Sequence, residues 1–400
     1  MLRFPLLTGT ADRGRGVLVV HGGGPTAVLN ASLAGVIAAS REGAAWRLLA
    51  ARFGVAGLVE RQWIDLSGVS SDAVDDIRRA PGSVIGSSRR KLDPSEIESA
   101  VRLLGTEGIE MVLFTGGNGT MQTALEFHRA ARQLDSALRV VGLPKTVDND
   151  LAVTDHTPGF GSGARFYALA VRDIGLDNLA LPAPVTVVEV IGRNAGWVTA
   201  ATALARHYPD DAPHLIFVPE RPPTLEQICA RVTEIHSRLG RVVVAACEGL
   251  RDPDGTPFGA DMDRPGLRRH ELAMNLGYTL ARAIAGRTGL RARSEKPGLL
   301  GRSCSLAVSE VDRAEAYLCG VAAMRAARGG DDGVMVALRR GSATPYRAET
   351  FLTPLDQVAG VERVIPGHWI AASGDDVTAE FLDYARPLAG EIGAWPRLSG

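Results

Sequence analysis

Cysteine is scarce in this sequence: Cys229, Cys247, Cys304 and Cys319 are the four in 400 residues, with no CxxC pair among them. That usage argues against a disulfide framework and a sulfur-ligated metal, and it fits a reducing compartment. Neither sign of charge is in excess: 44 Lys and Arg face 45 Asp and Glu, for a formal net charge of -1. The basic surface that nucleic-acid binding requires is missing, so any anion site is local. Long apolar runs are missing too, and the apolar run of MLRFPLLTGTADRGRG is too short for a signal peptide, so a cytoplasmic protein without a membrane partner is expected. The histidines, His156 among them, have no metal-ligand spacing and are expected to be structural. There is no GxxxxGK[ST], and no GxGxxG follows the first apolar run, which weighs against a P-loop and against a dinucleotide-dependent oxidoreductase.

A hydrophobic fraction of 46% and a charged fraction of 22% describe an ordinary globular chain, and 400 residues suit two domains better than one. β-rich runs alternate with helical patterns, which predicts an α/β fold with a mainly parallel sheet. Val17–Val20 ends in HGGGPT, and Leu29, Leu33, Val36 and Ile37 then recur at helical spacing. Ser83-Val84-Ile85 is a further candidate strand. In DPSEIESAVRLLG, Asp93 is an N-cap, Pro94 the first helical residue, Glu96 the partner of a capping box and Gly105 the stop. The strand MVLF leads to TGGNGT, and Arg139-Val140-Val141 leads to GLPKTVDND. In open α/β sheets ligands sit at the carboxyl ends of strands, so these loops are the first places to look. Further strands are expected at Val185–Val190, Leu215–Val218 and Val242–Ala246, with a loop from Arg251 to Gly266. The expected division is 1–150, 151–310 and a segment 311–400 returning to the first domain.

Gly22, Gly23 and Gly24 stand between a strand and a helix, where missing Cβ atoms let backbone N–H groups approach a phosphate; a tight turn without a ligand is the alternative. PKTVDND packs Lys145, Thr146, Asp148 and Asp150 together, a cation, a hydroxyl and two carboxylates able to serve as base and metal ligand. The alternative there is a solvated charged loop. Arg89, Arg90 and Lys91 could grip phosphate oxygens or form a basic turn. Arg193 sits in a glycine-bounded turn, and Glu248 ends a buried run where a carboxylate needs solvent or a partner. Arg293 and Arg302, taken alone, read as surface residues.

In this order GGGPTAVLN, GSSRRKL, TGGNGT, PKTVDNDL, TDHTPGFGS, EVIGRNAGWVTAA, CEG and SEVDRAEAYLCG resemble the phosphofructokinase family, over nearly the whole chain and closest to the branch that includes pyrophosphate users. The resemblance implies two Rossmann-like α/β domains with mainly parallel sheets and an active site in the cleft between them. It implies Mg²⁺-dependent transfer of a phosphoryl group to the 1-hydroxyl of fructose 6-phosphate. Asp148 would be the base, with Arg193, Thr146 and Lys145 assisting. Gly23, Arg89, Gly117, Asn118, Gly119 and Thr120 would line the donor site, and Asn118 and Asp150 would face the metal. Thr146, Asp148, Ile191, Gly192, Arg193, Glu248, Arg293 and Arg302 would hold the sugar phosphate.

The chain departs from the family pattern at three positions. Asn118 stands where Asp is usual, Leu299 where many relatives have His, and Pro184 where many have Arg. Pyrophosphate users typically carry Asp where this chain has Gly119, so ATP is expected here as the donor, with pyrophosphate the alternative. A homo-oligomer, dimer or tetramer, is also expected. A non-catalytic sugar-phosphate or nucleotide sensor on the same fold is the alternative of another class.

Overall fold

The computed structural model describes residues 15–43, 46–181, 184–258, 275–343 and 345–396. Part of the expected 251–266 loop therefore lies outside the described residues. In chain order the strands are β1 (Gly16–His21), β2 (Arg47–Ala51), β3 (Trp63–Asp65), β4 (Ile109–Gly116), β5 (Arg139–Pro144), β6 (Val185–Val190), β7 (Leu215–Phe217), β8 (Val242–Cys247), β9 (Ala292–Glu295), β10 (Val334–Ala343) and β11 (Tyr346–Pro354). Two units divide them. The first comprises the described residues of Met1–Thr146, Asp150–Gly159 and Asp312–Arg363; the second comprises those of Val147–Asn149, Phe160–Val311 and Val364–Gly400. The stretch after residue 311 is thus shared, 312–363 counting with the first unit and the rest with the second.

The first unit carries a sheet in the order β11-β10-β5-β4-β1-β2-β3. From β10 through β2 the pairing is parallel, and antiparallel partners sit only at the two edges. The strands read as unbroken apolar runs because both faces are covered. Along β1, Val17 and Val19 enter one buried cluster while Leu18 and Val20 enter another on the opposite face. The chain leaves β1 toward β2 and later returns on β1's other side as β4, so the order of strand addition reverses there, and the carboxyl ends of β1 and β4 are where such sheets offer a ligand crevice.

The capping box of Asp93 and Glu96 is present, with Pro94 opening the helix Pro94–Thr106. Gly105 does not stop that helix; it ends at Thr106 with Glu107 as C-cap, followed by Gly108 at φ +70°. The expected strand 83–85 is a turn bracketed by Gly82 and Gly86, both at positive φ, and only Ser88 pairs, as an isolated bridge to Gly22.

The second unit carries a parallel sheet in the order β7-β8-β6-β9. GFGSG opens the 21-residue helix Phe160–Ala180. Phe160 joins Trp197, Trp369, Phe381 and Tyr384 in one aromatic cluster with ring centroids 4.9 to 6.4 Å apart. Clusters of this kind contribute beyond their buried area.

Candidate active site

Two amides of the glycine loop after β1 are engaged by backbone carbonyls of the protein itself. Gly22 N–H donates to Thr115 O and Gly23 N–H to Ser88 O, each at 2.9 Å. The next helix, Leu29–Ser40, starts well beyond the loop. What the loop holds is a cation. Lys145, 2% exposed, donates from Nζ to Gly22 O at 2.8 Å and to Gly24 O at 2.7 Å. Gly23 lies at φ +76°, so glycine serves the turn; a Cβ there would only reach ordinary contact, 3.4 Å, with that ammonium. His21, buried behind the loop, is kept neutral, its pKa lowered to about 3 by burial and by Lys145.

TGGNGT forms the end of β4 and the start of the helix Asn118–Gln133, with Gly117 as N-cap. The Thr120 side chain fills the space beside Gly22 and Gly116, where a Cβ would come within 2.2 and 2.1 Å of its Oγ1. Glycine in both loops is thus a packing requirement for this threonine. Added at Gly119, a Cβ would meet nothing within 4 Å. Asn118 has its amide engaged at both ends: Nδ2 donates to Val361 O at 2.7 Å, and Oδ1 accepts from Gly360 N–H at 2.8 Å. Arg89 is exposed and has no ionic partner among the described residues, whereas its neighbour Arg90 is paired with Glu96 and Glu60.

PKTVDND turns on Asn149. This residue is buried at φ +56°, a conformation Asn tolerates better than most residues, and its Nδ2 donates to Tyr384 Oη at 2.9 Å within the second unit. It separates the half-buried Asp148 from Asp150. In the first unit, Asp150 accepts a hydrogen bond from the Thr146 side chain, while its other oxygen, Oδ1, is buried with no hydrogen-bond partner. Burial raises its pKa, against the opposing pull of Arg363 and Lys145. An orphaned carboxylate oxygen in a desolvated place is a natural cation ligand. Among the described residues no three His, Cys, Asp or Glu gather as a metal cluster. The single orphaned Asp150 oxygen fits Mg²⁺, which is commonly held by one or two carboxylates together with substrate phosphates and water.

In the second unit the turns after β6 and β8 interlock. Gly192, at φ +140°, donates its N–H to Glu248 Oε1 at 3.3 Å, and Glu248 N–H returns to Val190 O at 2.8 Å. A Cβ on Gly249 would overlap Arg193 O at 1.4 Å, which explains the glycine in CEG. Burial holds the Glu248 carboxyl above its usual range. Ile191 N–H bonds Tyr167 Oη at 3.2 Å, and Arg193 is exposed. Arg293 is placed elsewhere. It sits on β9 in register with Thr186, about 13 Å of strand from Val190, and its guanidinium pairs with Asp177 at 2.7 Å. Arg302 lies past β9 in the short helix Leu300–Ser303. Two residues that sequence reasoning missed hold backbone groups, one in each unit. Glu220 accepts from Gly196 N–H at 2.9 Å and from Ile365 N–H at 3.0 Å; in the first unit Arg363 binds the carbonyls of Thr154 and Asp155.

Residues 16–327 match the family model described as "Phosphofructokinase". The chain belongs to the phosphofructokinase family. It is 38% identical to the pyrophosphate--fructose 6-phosphate 1-phosphotransferase of Rhodospirillum rubrum over 94% of each chain, and 35% identical to that of Xanthomonas campestris over 93% of this chain and 91% of the relative. The solved structure of a pyrophosphate-dependent phosphofructokinase from Marinobacter aquaeolei superposes with a TM-score of 0.85 at 30% identity, covering 96% and 94% of the two chains. A family phosphotransferase with two α/β domains is therefore established. These relatives overturn the expectation of ATP as donor. That expectation treated the empty space at Gly119, a missing repulsion, as if it were an attraction for a nucleoside; discrimination needs a difference in binding, which open space does not supply.

Proposed function

We propose that this phosphofructokinase family member transfers a phosphoryl group from pyrophosphate to the 1-hydroxyl of fructose 6-phosphate. The observation that carries this reading is the 38% identity, along 94% of both chains, to an enzyme of that name. The 1-oxygen of the sugar attacks one phosphorus of pyrophosphate, the bond to the bridging oxygen breaks, and orthophosphate leaves. Asp148 takes the hydroxyl proton. Lys145, fixed by two loop carbonyls, offers charge to the donor without paying to be ordered, and Arg89, Arg193 and the N-terminus of the helix Asn118–Gln133 add to it. When bound, Mg²⁺ would neutralise phosphate charge, and Asp150 is the residue to hold it. Thr146, Ile191, Gly192 and Glu248 take the sugar, and Arg302 its 6-phosphate. Arg293 joins only by exchanging Asp177 for the phosphate. Such transfer asks for positioning and charge neutralisation more than covalent help.

The test is a side-by-side assay with fructose 6-phosphate and Mg²⁺. Pyrophosphate should yield the 1,6-bisphosphate and orthophosphate in equal amounts, with kcat/KM at least about 100-fold above that with ATP. Equal use of ATP would sink the donor assignment. Asp148→Asn should lower kcat roughly 10²–10⁴-fold with KM nearly unchanged, and retained turnover would remove Asp148 as the base.

A further inference from the structure

The loop that follows PKTVDND contains a charge cluster that the reaction described above does not use. His156 is 2% exposed, yet each ring nitrogen faces a carboxylate: Nδ1 lies 2.7 Å from Asp155 Oδ2, and Nε2 lies 2.6 Å from Glu315 Oε2. Ionised carboxylates only accept, so satisfying both contacts requires a proton on each nitrogen, which makes the ring an imidazolium. Among the described residues, further charged and titratable groups beside this cluster are Tyr346 on β11, whose hydroxyl donates to Glu315 Oε1 at 2.8 Å, Arg340 on β10, 3.3 Å from Asp155 Oδ2, and Arg363, bound to the carbonyls of Thr154 and Asp155. Glu315 and Asp312 stand one turn apart on the helix Glu310–Gly329, and Asp312 Oδ1 accepts from Gly159 N–H at 2.8 Å. The helix thus grips both ends of 156–159.

That segment in turn supports the backbone of the PKTVDND loop. Thr157 Oγ1 donates to Thr146 O at 2.9 Å, Thr146 N–H donates to Pro158 O at 3.2 Å, and Thr146 pairs with Gly159 as a parallel bridge. We propose that His156, held between Asp155 and Glu315, is a positioning residue: its ring locks 154–159 against the helix Glu310–Gly329 and so fixes Thr146, and with it Asp150, for phosphoryl transfer. The motif SEVDRAEAYLCG acquires a purpose through its Asp312 and Glu315. The catalytic part of this inference rests on the function proposed above.

The ring's charge makes the lock sensitive to pH. Burial pushes its pKa down, but the hydrogen bonds and charges of Asp155 and Glu315 outweigh that and raise it to about 9. The experiment compares wild type, His156→Gln and Glu315→Gln by kcat, by KM and by amide exchange of the peptide 145–151. His156→Gln should cut kcat about tenfold or more, with KM for fructose 6-phosphate and for pyrophosphate within about twofold. Glu315→Gln should stay active near neutrality but move the alkaline fall of kcat to lower pH by at least about one unit, as expected when one of two anions is removed. Exchange of 145–151 should quicken in parallel, and this readout needs no turnover, so it survives a wrong choice of donor. Superimposable pH profiles, or unchanged exchange in both folded variants, would overturn the proposal.

Discussion

Asn118 begins the helix Asn118–Gln133 and ties it to Gly360 and Val361 through one donated and one accepted hydrogen bond. An ionised carboxylate cannot do both. An aspartate, usual in the family, would keep the contact with Gly360 N–H but set a second acceptor against Val361 O. Asn118→Asp should therefore destabilise the protein by about 1–2 kcal/mol, the cost of a lost hydrogen bond and an opposed pair of oxygens. Denaturant unfolding measures the loss, and Mg²⁺ titration of the same variant separates two roles. If Asn118 acts chiefly as a pin, the carboxylate weakens the fold without tightening Mg²⁺; a clear gain in Mg²⁺ affinity at unchanged stability would make the position a metal ligand instead.

At the scale of elements, two glycines let helices Leu29–Ser40 and Glu310–Gly329 touch backbone to backbone. A Cβ on Gly320 would lie 2.0 Å from Ser32 O, and one on Gly35 would lie 2.1 Å from Tyr317 O. Neither neighbour is a side chain that could swing away. Gly320→Ala should cost about 1–3 kcal/mol by overpacking, despite alanine's better helix propensity, and a thermal shift measures it; a neutral or stabilising result would mean the helices part freely.

This contact also marks where the sequence stops being legible. Strands such as Val185–Val190 and the Asp93 capping box could be read directly, because their apolar runs and cap residues are local signals. Ser83-Val84-Ile85 misled because short apolar runs also occur in turns, and the bracketing Gly82 and Gly86 decide the matter by their positive φ. The helix Phe160–Ala180 was hidden behind glycines that resemble a loop but serve close packing: a Cβ on Gly163 would reach 2.5 Å from Val147 Cγ2. At the candidate site, Lys145 was singled out, but its seat between two glycine carbonyls depends on residues more than 100 positions away. His156 was expected to be structural; only folding brings it to Glu315, although Asp155 beside it and the Asp312–Glu315 spacing were available clues.

Over the whole molecule, three histidines, His21 and His156 buried and His214 half-buried, set opposite limits on stability. His156 is raised to about 9 in the folded state, so its contribution is complete below the unfolded value near 6.5 and is lost as pH rises through 9. His21 and His214 move the other way. Burial, aided by Lys145 in one case and Arg241 in the other, lowers them to about 3 and about 4. The unfolded chain therefore takes up protons at these two before the folded one does, and stability falls as pH drops below about 6.5. His21 and His156 belong to the first unit and His214 to the second, so acid acts on both units, whereas among these three groups the alkaline loss belongs to the first. Tm measured from pH 5 to pH 10 should peak between about pH 6 and 7 and decline on both sides. Replacing His156 by Gln should lower Tm near neutrality and flatten the alkaline side while leaving the acid side in place. A wild-type Tm that is level from pH 7 to 9.5, or an alkaline decline as steep in the variant, would show that the imidazolium between Asp155 and Glu315 does not carry the charge assigned to it.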